Sequence, residues 1–164
     1  AYNGVDDRVE LRLGDLRDPD LVPEASTFDL VTGTPPYLPI GDGPMSDAVQ
    51  RGPCRFEHRG GVEGYCHAAA RAMARDGRFA LCHPDLERVR EAAALAGLTI
   101  LRRRDVVPRV GRSPRFRLFL MTHAPHTPAK ARAERVDGPL VVRDADGDFT
   151  PDYRALRASM GMPP

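Results

Sequence analysis

Phe28-Asp29-Leu30-Val31-Thr32-Gly33-Thr34-Pro35-Pro36-Tyr37 decides how this chain is read. It has the pattern of a buried strand that stops abruptly in a rigid turn. Leu30 and Val31 suit a strand interior, and Gly33 permits a tight bend at the strand's end. Pro35 and Pro36 fix φ near about −65° and carry no backbone N–H, so their carbonyls stay free to accept hydrogen bonds. Tyr37 then presents a flat ring beside those carbonyls. A flat ring, rigid carbonyls and a short polar side chain can hold a planar base whose exocyclic amino group is aimed at an electrophile.

Outward from this stretch the elements alternate. Upstream, Val9, Leu11 and Leu13 recur at period two, which predicts a strand over 8–13 ending at Gly14-Asp15, with a short turn or helix around 19–25. Residues 38–60 are rich in Gly, Pro and charge and read as a long ordered loop. Val62, Tyr65, Cys66, Ala69, Ala72 and Met73 fall at helical spacing, predicting a helix over 62–75 with Gly77 as its stop. A short strand over 79–82 follows, ending at His83-Pro84. A strong helix spans 85–96, closed by Gly97. Strands over 98–107 and 116–122 flank a loop carrying Gly111 and Pro114, the pattern of a hairpin. The expected class is α/β, a mostly parallel sheet with an antiparallel hairpin at one edge.

The chain has 164 residues, one domain's worth of length, with 41% hydrophobic and 29% charged residues, as in soluble globular proteins. The net charge of +1 excludes a general polyanion binder. Cys54, Cys66 and Cys82 show no Cys-x-x-Cys spacing, which argues against zinc and against a disulfide framework and fits a cytoplasmic setting. No apolar run approaches membrane-span length, and no metal-ligand pattern is present. His58, His67, His83, His123 and His126 show neither metal nor triad spacing. His67 reads as a half-buried packing residue, Cys66 and Cys82 as core, and 160–164 as a frayed tail.

Thr34-Pro35-Pro36-Tyr37 resembles the Asn/Asp/Ser/Thr-Pro-Pro-Tyr/Phe motif of amino-methyltransferases, which move a methyl from S-adenosylmethionine to a planar NH₂ group. The spelling with Asn or Asp is typical of adenine-N6 and protein-glutamine enzymes, that with Ser or Thr of cytosine-N4 DNA enzymes. The bland alternative is a strand followed by a Pro-rich loop. The resemblance implies a Rossmann-like class I methyltransferase sheet with the cofactor over the carboxyl ends of the parallel strands. No Gly-x-Gly-x-Gly-like loop and no strand-terminal acid for the ribose stand ahead of this segment. Residues 1–164 therefore read as the C-terminal portion of one such domain, with 124–164 an extension holding a short strand and a Gly turn; the alternative is a whole protein of another fold. Asp15-Leu16 matches the position where the family's carboxylate and next backbone amide meet the adenine of the cofactor. A turn cap is the equal alternative for Asp15.

A second, narrower resemblance lies in Glu57-His58-Arg59-Gly60-Gly61-Val62-Glu63, in Gly138-Pro139-Leu140-Val141-Val142, and in the run from Asp144 to Tyr153. These are similar to segments of bacterial tRNA adenine-N6 methyltransferases that modify a valine tRNA. Thr34 stands where that family has Asn. The resemblance implies direct in-line transfer with no covalent intermediate and no metal. Thr34 Oγ1 and the Pro35 carbonyl would accept the two N–H protons of the amine, beside Pro36, and Tyr37 would stack on the base for about 1–3 kcal/mol. The target would be an adenine of tRNA. Other substrates of the same class are a DNA cytosine, a protein glutamine or a small molecule, and a non-catalytic fragment or degenerate nucleic-acid-binding domain is the third reading.

Arginines supply the candidate substrate contacts. Arg102, Arg103, Arg104, Arg109, Arg112, Arg115 and Arg117 face one acid, Asp105, within the hairpin. Arg109 and Arg112 in its loop, and Arg55 and Arg59 after the Pro-Pro-Tyr motif, are placed to meet phosphates. A solvated hairpin in an Arg-rich protein is the alternative.

Overall fold

β1 (Phe28–Gly33) is the first strand of a five-stranded sheet. The structure is a computed structural model that describes residues 4, 7–21, 28–38, 56–57, 60–125 and 133–163. After β1 come α1 (Val62–Ala72), β2 (Met73–His83), α2 (Leu86–Leu95), β3 (Leu98–Val107), β4 (Phe116–His123), β5 (Arg135–Val141) and α3 (Pro151–Ser159). The strand order is β1-β2-β4-β3-β5. β1 and β2 pair parallel, β4 runs antiparallel to both of its neighbours, and β5 pairs parallel with β3. Four strands thus point one way and β4 opposes them. This is the α/β, mostly parallel sheet expected from the alternation, with the β3–β4 hairpin in place. One detail differs: β5 lies beyond the hairpin, so the hairpin is flanked on both sides and β5 forms the edge.

Register explains which face is buried. Val31, Phe79, Met121 and Ile100 are cross-strand neighbours and point to one face. There they meet Val62, Cys66 and Ala69 of α1 and Val89, Ala92 and Ala93 of α2, forming the core. Each such large apolar side chain removed from water contributes about 1.5–3 kcal/mol. The next row, Thr32, Ala80, Leu120 and Arg102, points the other way, as the two-residue period of a strand requires.

Local chemistry sets the helix ends. Asp85 caps α2, its carboxylate accepting from the Arg88 amide at 3.0 Å, and Gly97 follows the helix at φ +70°. Thr150 caps α3, accepting from the Tyr153 amide at 3.3 Å, with Pro151 in the first turn. α1 ends three residues earlier than its sequence predicts, because Met73 leaves the helix at ψ 137° to pair with Phe28. Gly77 is needed for a different reason from a helix stop: a Cβ there would lie 2.8 Å from the Phe28 carbonyl oxygen. The residues after α3 are tied down rather than frayed, since Arg157 donates to the Pro163 carbonyl at 2.9 Å and Met162 to that of Arg157 at 3.0 Å.

The predicted strand over 8–13 does not form. Leu11 and Leu13 are 91% and 103% exposed, and Arg12 bonds instead to Glu10 and to the Leu21 carbonyl. A period-two pattern makes a strand only when a neighbour offers a free ladder, and among the described residues β1 pairs with β2 alone. Around 19–25, a single 3₁₀ turn, Pro19–Leu21, is described.

Candidate functional site

At the carboxyl end of β1 the backbone passes close beneath an aromatic wall. A Cβ on Gly33 would lie 2.9 Å from Tyr65 Cδ1 and 3.3 Å from Phe79 Cε2. Glycine is therefore required here for close approach, not for a special φ. Pro35 and Pro36 are buried, whereas Thr34 and Tyr37 are exposed. The rigid pair is the anchor, and the two residues flanking it face outward.

Thr34 lines a cleft of about 480 Å³ with Thr32, Cys82, Leu118 and Tyr65. Its walls are mainly apolar with a few hydroxyls, the composition of a small-molecule or base pocket. Tyr37 stands beside this cleft, not in its lining. Its ring is edge-on to Phe116 (centroids 5.2 Å apart, planes at 75°) and to His83 (6.5 Å, 88°). The structure thus brings Thr34, Pro35, Pro36 and Tyr37 together at the sheet end, with an aromatic brace drawn from β2 and β4.

His83 is the member that sequence reasoning missed. It is 1% exposed, and its Nδ1 accepts from the Asp85 amide at 3.1 Å. Nδ1 also lies 3.2 Å from the Asp85 carbonyl oxygen, so either tautomer finds a partner at Asp85, while Nε2 has no partner among the described residues. Burial pushes its pKa below the usual imidazole range. Its one sequence signal was its place at a strand's carboxyl end before Pro84. His67, by contrast, is exposed rather than half-buried, and Cys82 is half-buried in the cleft wall while Cys66 is core.

Leu38, next to Tyr37, is joined to Phe56 and Glu57. Leu38 bridges Phe56, the Glu57 amide donates to the Leu38 carbonyl at 3.1 Å, and Phe56 is 2% exposed. Arg88 at the start of α2 holds Glu57 in place. Its guanidinium donates to Glu57 Oε1 at 2.6 Å and to Glu63 Oε1 at 2.6 Å, forked toward both carboxylates. A Cβ on Gly61 would lie 2.5 Å from Arg88 Nη2, so the glycine admits the guanidinium. Hydrogen bonding to Arg88 holds the Glu63 carboxyl below its ordinary pKa. Glu57, Gly61 and Glu63 therefore close around one guanidinium. Arg55 and Arg59 lie outside the described residues.

Asp15 and Leu16 occupy a turn packed on the start of α1. Leu16 Cδ1 and Arg17 Cγ would lie 3.7 Å and 3.6 Å from a Cβ on Gly64, and Arg71 donates to the Leu16 carbonyl at 3.0 Å. The Asp15 carboxylate accepts from the Arg17 guanidinium and from the Arg17 amide at 2.9 Å, so it does cap a turn.

The hairpin arginines divide into two groups. Arg102 pairs with Asp137 at 2.8 Å, Arg103 with Asp105 and Glu134, and Arg117 with Asp105, while Arg104 donates to the Gly138 carbonyl. These charges are spent on the sheet. Arg109 and Arg112 have no carboxylate partner among the described residues, and they open into a cleft in the hairpin loop.

No protein-family model matches the chain, and no curated protein matches it. Among solved structures, the chain superimposes on a predicted O-methyltransferase from Agrobacterium tumefaciens with a TM-score of 0.43 and 20% identity. The match covers 59% of this chain and 45% of that one, so the chain spans less than half of its length. A likeness of that extent fixes neither a family nor a chemistry.

Proposed function

We propose that the chain is the C-terminal portion of a class I S-adenosylmethionine-dependent amino-methyltransferase domain, and that it takes adenine N6 of tRNA as its target. The observation that carries this reading is the end of β1. Two buried prolines fix Thr34 toward an apolar cleft and Tyr37 as an exposed, braced ring. Thr34 Oγ1 and the Pro35 carbonyl accept the two N–H protons of the amine. That localises a lone pair otherwise delocalised into the ring, and Tyr37 stacks on the unstacked base. S-adenosylmethionine, when bound, supplies a methyl on an electrophilic sulfonium.

The fit to that donor is partial. The Asp15 carboxylate already accepts from the Arg17 guanidinium and amide, so an adenine amino group beside the Leu16 amide would compete with that turn. The described residues contribute no group for the methionine end, and no step is routed through the donor. Thr34 in the place of Asn supports a second reading, the same transfer to a DNA cytosine, a protein glutamine or a small molecule. The partial donor site supports a third, a domain that binds nucleic acid without catalysis.

The test has two parts. S-adenosylhomocysteine is titrated calorimetrically into this chain and into any longer form its gene encodes. A panel of tRNA, single-stranded DNA, peptide and small amines is then incubated with labelled donor. Donor binding with label in tRNA adenine is the expected result. Label only in another amine selects the second reading, and no donor binding by any form sinks the methyltransferase reading.

A further inference from the structure

The second cleft lies at the tip of the β3–β4 hairpin. It has a volume of about 650 Å³ and is lined by Pro108, Arg109, Arg112, Ser113 and Arg143. Its walls come from segments far apart in sequence, the hairpin loop and the turn after β5. Two backbone bonds lock them together: Val110 donates to the Arg143 carbonyl at 2.8 Å, and Val142 to the Val107 carbonyl at 2.8 Å. The three guanidinium groups are therefore carried on a fixed frame.

The three arginines are not neutralised by any described carboxylate. No carboxylate lines the cleft, and none of the three makes an ion pair among the described residues. Asp144, on the adjoining turn, spends Oδ1 on the amides of Asp146, Gly147 and Asp148. Arg143 is positioned rather than neutralised: it donates to the Gly147 carbonyl and lies 4.5 Å over the Phe149 ring, which Arg157 covers at 4.9 Å. Arg109 leans over Gly147, where a Cβ would lie 3.2 Å from Nη2. Exposed guanidinium groups carried side by side on one frame suit a tetrahedral oxyanion with several acceptor oxygens.

The cleft also belongs to the same end of the sheet as Tyr37. Arg115, at the close of the hairpin loop, lies 5.9 Å over the Phe116 ring, and Phe116 braces Tyr37. A ligand with anionic groups along a flexible backbone and planar rings between them fits both features at once.

We propose that the Arg109–Arg112–Arg143 cleft binds a backbone phosphate of single-stranded RNA, anchoring the strand whose base reaches Tyr37. This rests on the nucleic-acid reading above. The probe is a fluorescent single-stranded RNA of about 12 nucleotides, titrated by anisotropy over a salt series without any methyl donor. The triple change Arg109→Gln, Arg112→Gln, Arg143→Gln should weaken binding at least about tenfold at low salt. It should also flatten the salt slope by about 0.7, the share of the one phosphate no longer neutralised. Each single change should give a partial loss, which keeps the test open should the triple variant melt early. Arg102→Gln, whose partner is Asp137, should leave the slope unchanged.

Equal slopes in the wild type and the triple variant would overturn the proposal. So would competition by polyglutamate as strong as that by RNA, which would mark an acidic protein as the partner. RNA binding with the arginine-dependent slope, but no methyl transfer to RNA, would keep this site and remove the proposed activity. Transfer to RNA with an unaltered slope would do the reverse.

Discussion

The Tyr37 ring stands edge-on to Phe116, with centroids 5.2 Å apart and planes at 75°. Phe116 opens β4, so the exposed ring of the loop takes its orientation from the sheet. Such edge-to-face pairs are worth about 0.5–1.5 kcal/mol. Phe116→Ala should therefore lower methyl transfer to RNA by about 2- to 10-fold, mainly through KM. Tyr37→Ala removes the stacking surface itself and should cost about 5- to 150-fold. Cofactor affinity by calorimetry should stay within about twofold in both. Equal loss of transfer and cofactor affinity in Tyr37→Ala would mean that the ring only supports the fold.

Gly33 leaves room for Tyr65, and a methyl group there has nowhere to go. Gly33→Ala would set its Cβ 2.9 Å from Tyr65 Cδ1 and 3.3 Å from Phe79 Cε2. Overpacking of this kind costs about 1–3 kcal/mol. Urea melts should show that loss in the single variant and a clearly smaller one in a Tyr65→Ala background, where the closest atom is gone. Equal losses in both backgrounds would move the strain from Tyr65 to the backbone or to Phe79.

What the sequence could and could not announce follows from where each signal resides. α2 was legible because Asp85 and Gly97 mark its ends locally, and the hairpin was legible from two apolar runs around a glycine-bearing loop. The end of α1 was not, since Ala72-Met73-Ala74-Arg75 has good helical propensity and the break is imposed by the pairing of Met73 with Phe28. The alternation over 8–13 looked like a strand because pattern records a face and not a partner. α3 had its signal in Thr150-Pro151, a cap followed by an N-terminal proline, that went unused. The Pro-Pro-Tyr motif was visible as a motif. Its brace was not, because His83 and Phe116 reach Tyr37 only through the sheet. Counting arginines likewise gave one patch, whereas Asp137 and Glu134 pair with two of its seven members, Arg102 and Arg103, from the distant β5 region.

Arg88 ties Glu57 to Glu63, and its removal should be felt as two stranded carboxylates. Glu57 is 15% exposed, while Arg88 and Glu63 are 31% and 42% exposed. The cost of Arg88→Gln should then be about 1–3 kcal/mol, below that of breaking a fully buried pair. The pH dependence has a definite sign. Hydrogen bonding to Arg88 lowers the folded-state pKa of Glu63, so its contribution is complete above the unfolded carboxylate pKa and lost as pH falls through the lower folded value. The stability gap between wild type and Arg88→Gln should be full at neutral pH and should narrow below about pH 4. A gap constant down to acid pH would mean that Arg88 acts through packing alone.

His83 titrates in a higher window. Burial lowers its pKa, so the folded protein holds the ring neutral while the unfolded chain protonates it near about pH 6.5. Between those two values the unfolded state binds more protons. Stability is therefore complete above about pH 6.5 and declines as pH falls through the folded value. Nδ1 lies 3.1 Å from the Asp85 amide and 3.2 Å from the Asp85 carbonyl oxygen, so a doubly protonated ring trades the bond from that amide for one to the carbonyl and buries its charge. Thermal melts of the wild type should drop by several degrees between about pH 7 and pH 5, ahead of any loss from Glu63. His83→Asn offers an acceptor to the same amide without titrating, so it should start from a lower melting temperature and show a flatter profile over that range. A wild-type profile that is flat from pH 7 to 5, or parallel to that of His83→Asn, would show that the ring carries no proton-linked stability.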